Sequence, residues 1–200
     1  MTFSTAVESE AALMKELLDY INRFRKLDEE TERAVRLYFK EEFYRRNDFL
    51  AQEGKVCTKI HFIKSGLVRR FYLNDGEETT KWLYHDNHWI AIMASYFNQK
   101  PSLEFLQACD DTIVFSLSFD DEQKLLEYPL FFRFYADFFR CSLAAFDEFH
   151  FVFSTMSAQK KYQYLIEKFP MIVQRARQKH VASLLNISQE TLSRIRAAII

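Results

Sequence analysis

The distribution of apolar residues divides the chain into three regions. From Ala11 to Phe24 apolar side chains recur at helical spacing, and Asp28 stands where it would cap a second short helix. After Tyr38 the helical period gives way to short alternating runs of β-branched and aromatic residues, which predict strands. From Pro129 onward the helical period returns. The pattern therefore predicts short helices, then a β-rich region, then further helices.

Glycines and paired acids mark the turns of the β-rich region. Asp75-Gly76 lies between two apolar runs and predicts a hairpin, because both central positions of such a turn need a positive φ. A further strand pair is expected from Leu103 to Phe119, around a turn at Asp110-Asp111. Regular spacing of this kind predicts a β-barrel or sandwich. The glycines, 12 and 10 residues apart, are Gly54, Gly66 and Gly76.

The helix expected at 129–155 is apolar on nearly all sides, and such a helix must be buried on more than one of them. A small barrel covers only one side, so we expect the other to meet a second copy of the chain. The alternative is a helix sunk in the core of the barrel itself. A break at Ser154–Ser157 precedes another helix, which Pro170 ends. The expected dimer contacts are Phe134, Phe138, Cys141, Ala145, Phe149 and Val152.

The C-terminal segment from Gln178 to Ala198 has the apolar spacing of a helix-turn-helix that reads DNA. Asn186 tolerates the left-handed conformation that a tight turn between helices demands. Ser188 is a good N-cap for the second helix. The inner faces of the two helices are predicted to be Val181, Ala182 and Leu185, and Leu192 and Ile195.

The outward side chains of the second helix are of the types that read base edges. Arg194 can fork onto guanine, Gln189 can pair with adenine, and Glu190 can accept a hydrogen bond from cytosine, with Ser193 beside them. Basic residues just before the unit are placed to contact phosphates and fix its register. These residues are Arg175, Arg177 and Lys179.

Charge and composition support two functions in one chain. Residues 156–200 carry eight basic and two acidic residues, a net charge of +6, whereas the remainder carries −7. No apolar stretch is long enough for a membrane span, and the first twenty residues are too acidic for a targeting leader. Three cysteines without close spacing indicate neither a disulfide framework nor a metal cage. We therefore expect a cytosolic protein without cofactor or metal.

Two segments resemble the Crp/Fnr family of bacterial transcription regulators. One is this C-terminal segment, with its Ser188-x-Glu190-Thr191-x-x-Arg194 motif, and the other is Gly54–Arg69. The resemblance covers about Leu13 to Ile200. It implies an α+β fold, with an N-terminal antiparallel jelly-roll sensor and flanking helices at 1–128 and a long dimerisation helix at 129–155. A small all-α helix-turn-helix domain follows at 156–200, and no wing is expected after it.

The resemblance implies a homodimer that binds double-stranded DNA. By position in the motif, Glu190, Thr191 and Arg194 would contact DNA, and Gln189 would be the variable specificity residue. Together with the residues argued from chemistry, the expected DNA-binding set is Arg177, Gln178, Ser188, Gln189, Glu190, Thr191, Ser193 and Arg194.

The sensor segment departs from nucleotide-binding relatives, which carry a Gly-Glu pair and an Arg that neutralises the cyclic phosphate. The matching segment, Trp89–Ala108, contains neither Gly nor Arg, and the position expected for Arg falls near Ser102. A buried phosphate without a fixed cation costs several kcal/mol, and Lys100 lacks the fork of an Arg. We therefore do not expect cyclic AMP binding in the family manner, and the effector stays unidentified. The candidate pocket is Trp89, Met93, Lys100, Ser102 and Phe105.

Two other classes of function remain open at this stage. One is a regulatory module that acts only through protein contacts, without sequence-specific DNA binding. The other is a metal-dependent jelly-roll enzyme using His61, His85 and His88, whose spacing matches no established metal motif. No Walker loop, nucleophile elbow or Cys–His pair stands out, so no catalytic residue is assigned and an enzyme is not expected.

Overall fold

A computed structural model describes residues 14–199. Some expectations fall on residues outside this range. They are the start of the first helix at Ala11, the absence of a leader, and the limits of the family resemblance at Leu13 and Ile200. The helices are α1 (Lys15–Phe24), α2 (Glu29–Tyr38), α3 (Met93–Asn98), α4 (Phe119–Leu125), α5 (Pro129–Thr155), α6 (Ala158–Lys168), α7 (Pro170–Arg175), α8 (Gln178–Leu184) and α9 (Gln189–Ile199). The strands are β1 (Lys40–Tyr44), β2 (Phe49–Ala51), β3 (Lys59–Ser65), β4 (Leu67–Asn74), β5 (Glu77–His85), β6 (Trp89–Ile90), β7 (Phe105–Ala108) and β8 (Thr112–Ser118).

The strands form two four-stranded antiparallel sheets, so the mixed α/β architecture expected from the sequence is confirmed. One sheet has the order β1-β8-β3-β6 and the other the order β2-β7-β4-β5. We call this two-sheet unit the barrel. Side chains of both sheets join α1, α2 and the first part of α5 in one main core.

Local turn and cap signals were predicted correctly. Asp75 and Gly76 have φ values of 50° and 85° and join β4 to β5. Gly66 has a φ of 136°, and a Cβ there would collide with Thr112. Asp28 caps α2, where its carboxylate accepts the Thr31 backbone N–H at 2.8 Å. The Asp75-Gly76 turn and the Asp28 cap depend only on a few neighbouring residues, whereas the constraint at Gly66 comes from another strand.

The expected strand pair between Leu103 and Phe119 is wrong in its pairing. Both strands form, but β7 pairs with β2 and β4 whereas β8 pairs with β1 and β3. The connection at Asp110 therefore crosses between the two sheets instead of closing a hairpin. The Asp110 carboxylate accepts the Leu67 backbone N–H at 2.6 Å, which fixes the crossing. Alternation of apolar residues predicts a strand but does not say which strand lies beside it.

Helix α5 changes its environment along its length. Phe131, Phe134 and Phe138 are buried against the main core, and Val152 is buried further along. Between them the helix is exposed, with Leu143 and other large apolar side chains open to solvent. Phe134, Phe138 and Val152 were expected to meet a second copy, and that expectation is wrong for them because their own chain covers them. For its first three turns, the alternative of a helix sunk against the barrel core is correct.

The helices after α5 pack on the barrel around a second apolar core. Leu67 of β4 and Leu83 of β5 join side chains of α6 to α9 there, including Leu165 and Leu185. Ser157 caps α6 as expected, and its hydroxyl accepts the Lys160 backbone N–H. Pro170 ends α6 but also begins α7, since proline suits the first position of a helix. We call α6 to α9 the tail. Within residues 14–199, no helix is both long and apolar enough to cross a membrane.

Candidate functional site

The last two helices, α8 and α9, pack against each other across a tight turn. Asn186 has a φ of 54°, in the left-handed region, at the turn between α8 and α9. The Ser188 hydroxyl accepts the Thr191 backbone N–H at 3.2 Å at the start of α9. The side chains expected on the inner faces are buried or half-buried in the second core: Val181, Ala182, Leu185, Leu192 and Ile195.

The residues expected to contact DNA lie at the surface of this unit. Thr191 is half-buried, which agrees with its contact to Ser188. The pKa of Glu190 is lowered by hydrogen bonds from its own backbone N–H and from Ser188, so its carboxylate stays charged. The remaining members of the set are exposed, and they are Arg177, Gln178, Ser188, Gln189, Glu190, Ser193 and Arg194.

The start of α9 faces the hairpin between β4 and β5. A cleft of about 580 Å³ separates them, lined by Gln189 and Glu190 on one side and by Glu77 and Glu78 on the other. Beside this cleft Ser183 of α8 contacts β5 directly, because its hydroxyl accepts the Thr80 backbone N–H at 2.9 Å. Carboxylates therefore stand opposite the start of α9, which carries the side chains expected to read bases.

Arg175 links the tail to the barrel through ion pairs. Its guanidinium forms ion pairs with Asp86 at 3.1 Å and with Asp110 at 2.8 Å. The expectation that Arg175 contacts DNA phosphate is therefore wrong in this arrangement. Asp86 and Asp110 also accept the backbone N–H groups of Gly66 and Leu67, so the guanidinium meets carboxylates that the barrel already holds in place.

Arg69 and His180 form a second link that sequence reasoning missed. Arg69 is almost fully buried and donates to His180 Nδ1 at 3.0 Å, to Gln107 at 3.0 Å and to Glu78 at 2.8 Å. Burial, helped by the nearby charge of Arg69, lowers the pKa of His180 to about 4, so its ring is neutral and can accept this bond. A charged residue inside an apolar strand run is the signal that could have drawn attention to Arg69.

The residues of the candidate sensor pocket do not share one environment. Trp89 packs in the main core, with ring centroids 5.4 Å from Phe62 and 5.5 Å from Phe138. Met93 packs against the same core, whereas Phe105 stacks on Phe71 at 4.8 Å and Lys100 is exposed. Trp89 therefore serves as a core residue, and its expected place in a ligand pocket is corrected.

An ion cluster around the buried Glu104 lies near the end of the segment Trp89–Ala108. Ser102 is saturated by backbone contacts: its hydroxyl accepts the Glu104 N–H and donates to the Glu104 carbonyl, both at 2.9 Å. The Glu104 carboxylate pairs with Arg70 at 2.5 Å and with Lys81 at 2.6 Å. Arg70, on β4, was also missed by sequence reasoning. Its charge is balanced by a carboxylate of the same chain.

The three histidines weighed as metal ligands have other surroundings. His61 is buried and donates to Ser116 at 2.7 Å, which in turn donates to Glu42. His85 and His88 contact each other, with ring centroids 4.2 Å apart. Among the described residues, no group of three or more His, Cys, Asp or Glu side chains could hold a metal ion.

Comparison with known proteins gives the class of this fold. Residues 41–128, from β1 to the residue before α5, match the cyclic nucleotide-binding domain family. The comparison with curated proteins found no match.

The chain is also similar in structure to three bacterial regulators, at identities that establish a shared fold. The catabolite activator protein of Thermus thermophilus shares 22% identity over 88% of this chain and 85% of that chain, with a TM-score of 0.53. The global regulator CLP of Xanthomonas campestris shares 15% identity over 86% and 91%, with a TM-score of 0.64. FixK2 of Bradyrhizobium japonicum shares 15% identity over 80% and 84%, with a TM-score of 0.63.

Proposed function

We propose that this protein is a DNA-binding transcription regulator, with a jelly-roll sensor barrel and a helix-turn-helix tail. The strand orders 1-8-3-6 and 2-7-4-5 are those of an eight-stranded jelly roll, which supports the first part. The observation that carries the proposal is the unit made by α8, the left-handed Asn186 and α9. This unit buries the expected apolar face and exposes Gln189, Glu190 and Arg194 at the start of α9.

We infer that the second copy of the chain packs on the exposed middle of α5. Cys141 and Ala145, two of the expected contacts, are exposed there, and Phe149 is half-buried beside Trp82 at 4.5 Å. A patch of exposed apolar side chains on one helix is typical of an oligomer interface. Dimerisation through α5 would set the distance between the two α9 helices, about 34 Å for half-sites one turn apart. The largest exposed members of the patch are Leu143, Phe146 and Phe151.

For the sensor we propose that cyclic AMP is not bound in the family manner. Glu104 already neutralises Arg70, and Ser102 stands where the phosphate-binding Arg is expected. A phosphate placed beside Glu104 would meet a fixed carboxylate and lose several kcal/mol of binding. The family match does not fix the ligand, since the fold is shared with CLP, which is described as responsive to c-di-GMP. The effector of this barrel is therefore left open.

The arrangement of the tail also indicates how DNA binding is controlled. Glu77 and Glu78 stand across the cleft from Gln189 and Glu190, so a duplex at α9 would meet carboxylates of the hairpin. Carboxylates at this position oppose the approach of the negatively charged DNA backbone. We infer that DNA binding needs the start of α9 to move away from the hairpin, and an effector would act by changing the population of that state.

The test is selection from random DNA duplexes at two salt concentrations, followed by sequencing of the bound fraction. We expect enrichment of a palindromic motif, because a symmetric dimer presents two α9 helices. The double variant Gln189→Ala, Arg194→Ala should lose the motif, whereas Gln163→Ala, Lys168→Ala, both exposed on α6, should keep it. Binding without any motif in the wild-type protein would contradict the proposal and favour a module that works through protein contacts.

Arg194→Ala alone separates base reading from phosphate contact. If Arg194 reads a base, the variant loses about 1–3 kcal/mol of binding and relaxes preference at one position of the motif. An equal loss on every sequence would mark Arg194 as a phosphate contact instead.

A further inference from the structure

A small cavity lies at the junction of the barrel and the tail. Its volume is about 150 Å³. The barrel contributes Arg69, Glu78 and Gln107 to its walls, and the tail contributes Arg177, Lys179 and His180. The cavity therefore exists only while the tail lies against the barrel.

Arg69 gives the wall of the cavity a buried cation. Its side chain is 3% exposed, and its Nε is buried without a hydrogen-bond partner among residues 14–199. Its other nitrogens are used by Glu78, Gln107 and His180. Nε is closed off from solvent, so an acceptor that enters the cavity would meet Arg69 at its terminal nitrogens, where it competes with these partners.

The charges around Arg69 favour an anion. Arg177 and Lys179 are exposed cations of the tail that line the cavity, and Glu78 is the carboxylate that faces them. His180 adds no charge at neutral pH, since burial and these cations lower its pKa to about 4. One buried and two exposed cations against one carboxylate give the lining of the cavity a net positive charge.

We propose that this cavity binds the phosphate group of a small phosphorylated metabolite. Arg and Lys are the side chains that hold phosphate, through charge-assisted hydrogen bonds. A cavity of 150 Å³ has room for such a group with ordered water around it. A phosphate of duplex DNA would share the chemistry, but Arg69 is recessed between β4 and α8, beyond the reach of a duplex on the surface. The bound phosphate bridges Arg69 of the barrel to Arg177 and Lys179 of the tail.

The first test uses inorganic phosphate as the probe, titrated by calorimetry at pH 7.5 and compared with chloride at equal ionic strength. The variant Arg177→Gln, Lys179→Gln should bind phosphate at least about tenfold more weakly, because it loses two charge-assisted contacts. The control Lys160→Gln, Lys168→Gln removes the same charge from exposed positions of α6 and should match the wild type. An equal phosphate affinity in both variants, or none beyond chloride in the wild type, overturns the proposal.

A second variant probes the barrel side without removing a cation. Glu78→Gln deletes the carboxylate that competes for Arg69, so phosphate should bind severalfold more tightly. An unchanged or weaker affinity overturns the assignment of Arg69 to the site. If Arg177→Gln, Lys179→Gln weakens duplex binding while wild-type protein ignores inorganic phosphate, the cations serve DNA and the proposal fails. The titration itself needs no DNA, so its result stands apart from that of the proposed DNA binding.

Discussion

The main core of the barrel and the junction with the tail are built from different interactions. In the core, Trp89, Phe134 and Phe138 pack ring against ring, with Trp89 about 6 Å from each of the other two. At the junction the apolar contacts are bordered by polar contacts between tail and barrel, such as the ion pair of Arg175 with Asp110 and the hydrogen bond of Arg69 to His180. Apolar packing is insensitive to pH and salt, whereas ion pairs respond to both. We therefore expect the tail to leave the barrel more readily than the barrel unfolds.

The largest expected effect comes from breaking the main core. Phe134 is 1% exposed and packs against Phe24, Trp89 and Phe138. Phe134→Ala should lower the free energy of unfolding by about 3–5 kcal/mol, because it removes a buried ring and leaves a cavity. Urea unfolding measures the loss. The control Leu37→Ala, at a position 61% exposed, should stay within about 0.5 kcal/mol.

The pH dependence of the junction can be tested through His180. A free histidine titrates near pH 6.5, and the folded pKa of His180 is about 4. The docked tail therefore holds His180 neutral. The free energy that keeps the tail docked is greatest above pH 6.5 and falls as the pH drops toward 4. At pH 5 the loss relative to pH 7.5 should be about 2 kcal/mol. The groups that oppose protonation are Arg69, Lys179 and Arg177, with Glu78 favouring it.

Hydrogen exchange in α8 and α9, corrected for intrinsic rates at each pH, measures this loss. His180→Asn should remove the pH dependence of tail opening, whereas His150→Asn, at an exposed position of α5, should leave it unchanged. The barrel also loses stability at pH 5, because burial lowers the pKa of His61 to about 4, so the pH dependence assigned to the junction is the part that His180→Asn removes. Unchanged pH dependence of tail opening in His180→Asn would contradict the assignment.

The same contrast explains which features could be predicted from the sequence. The cap at Asp28, the Asp75-Gly76 turn and the left-handed Asn186 depend on contacts within a few residues, and all three were predicted correctly. The link from Arg69 to His180 joins residues 111 positions apart, and that from Arg175 to Asp110 spans 65. No local pattern encodes such pairs, because the side chains meet only after the tail has docked.

Helix α5 shows the same limit of prediction from sequence. Its apolar residues continue with little change of type from Phe131 to Phe153, so periodicity predicts one long apolar helix. What divides it is the length of the barrel, which covers the first turns and leaves Leu143 and Phe146 exposed. The sequence therefore predicted a helix with two apolar sides, but not which of its residues the chain itself would bury.

A smaller effect is expected from cutting the ion pairs of the junction. Arg175→Met removes the contacts to Asp86 and Asp110 but keeps the length of the side chain. Since Arg175 is partly exposed, the loss should be about 1 kcal/mol, and it should fall on tail opening rather than on barrel unfolding. Limited proteolysis of the tail at low and high salt measures it: wild type should approach the variant as salt rises. Lys168→Met, exposed at the end of α6, should match the wild type at both salt concentrations.

The smallest expected effect concerns the cleft between the hairpin and α9, and it rests on the proposed DNA binding. Glu77 is exposed and lines the cleft opposite Gln189 and Glu190. Glu77→Gln removes one carboxylate that opposes a duplex, so DNA affinity should rise about two- to threefold at low salt and less at high salt. The exposed Glu127, which precedes α5, supplies the control Glu127→Gln with the same change of charge. Equal gains in both variants would mean that only net charge matters, and that the hairpin does not stand in the path of DNA.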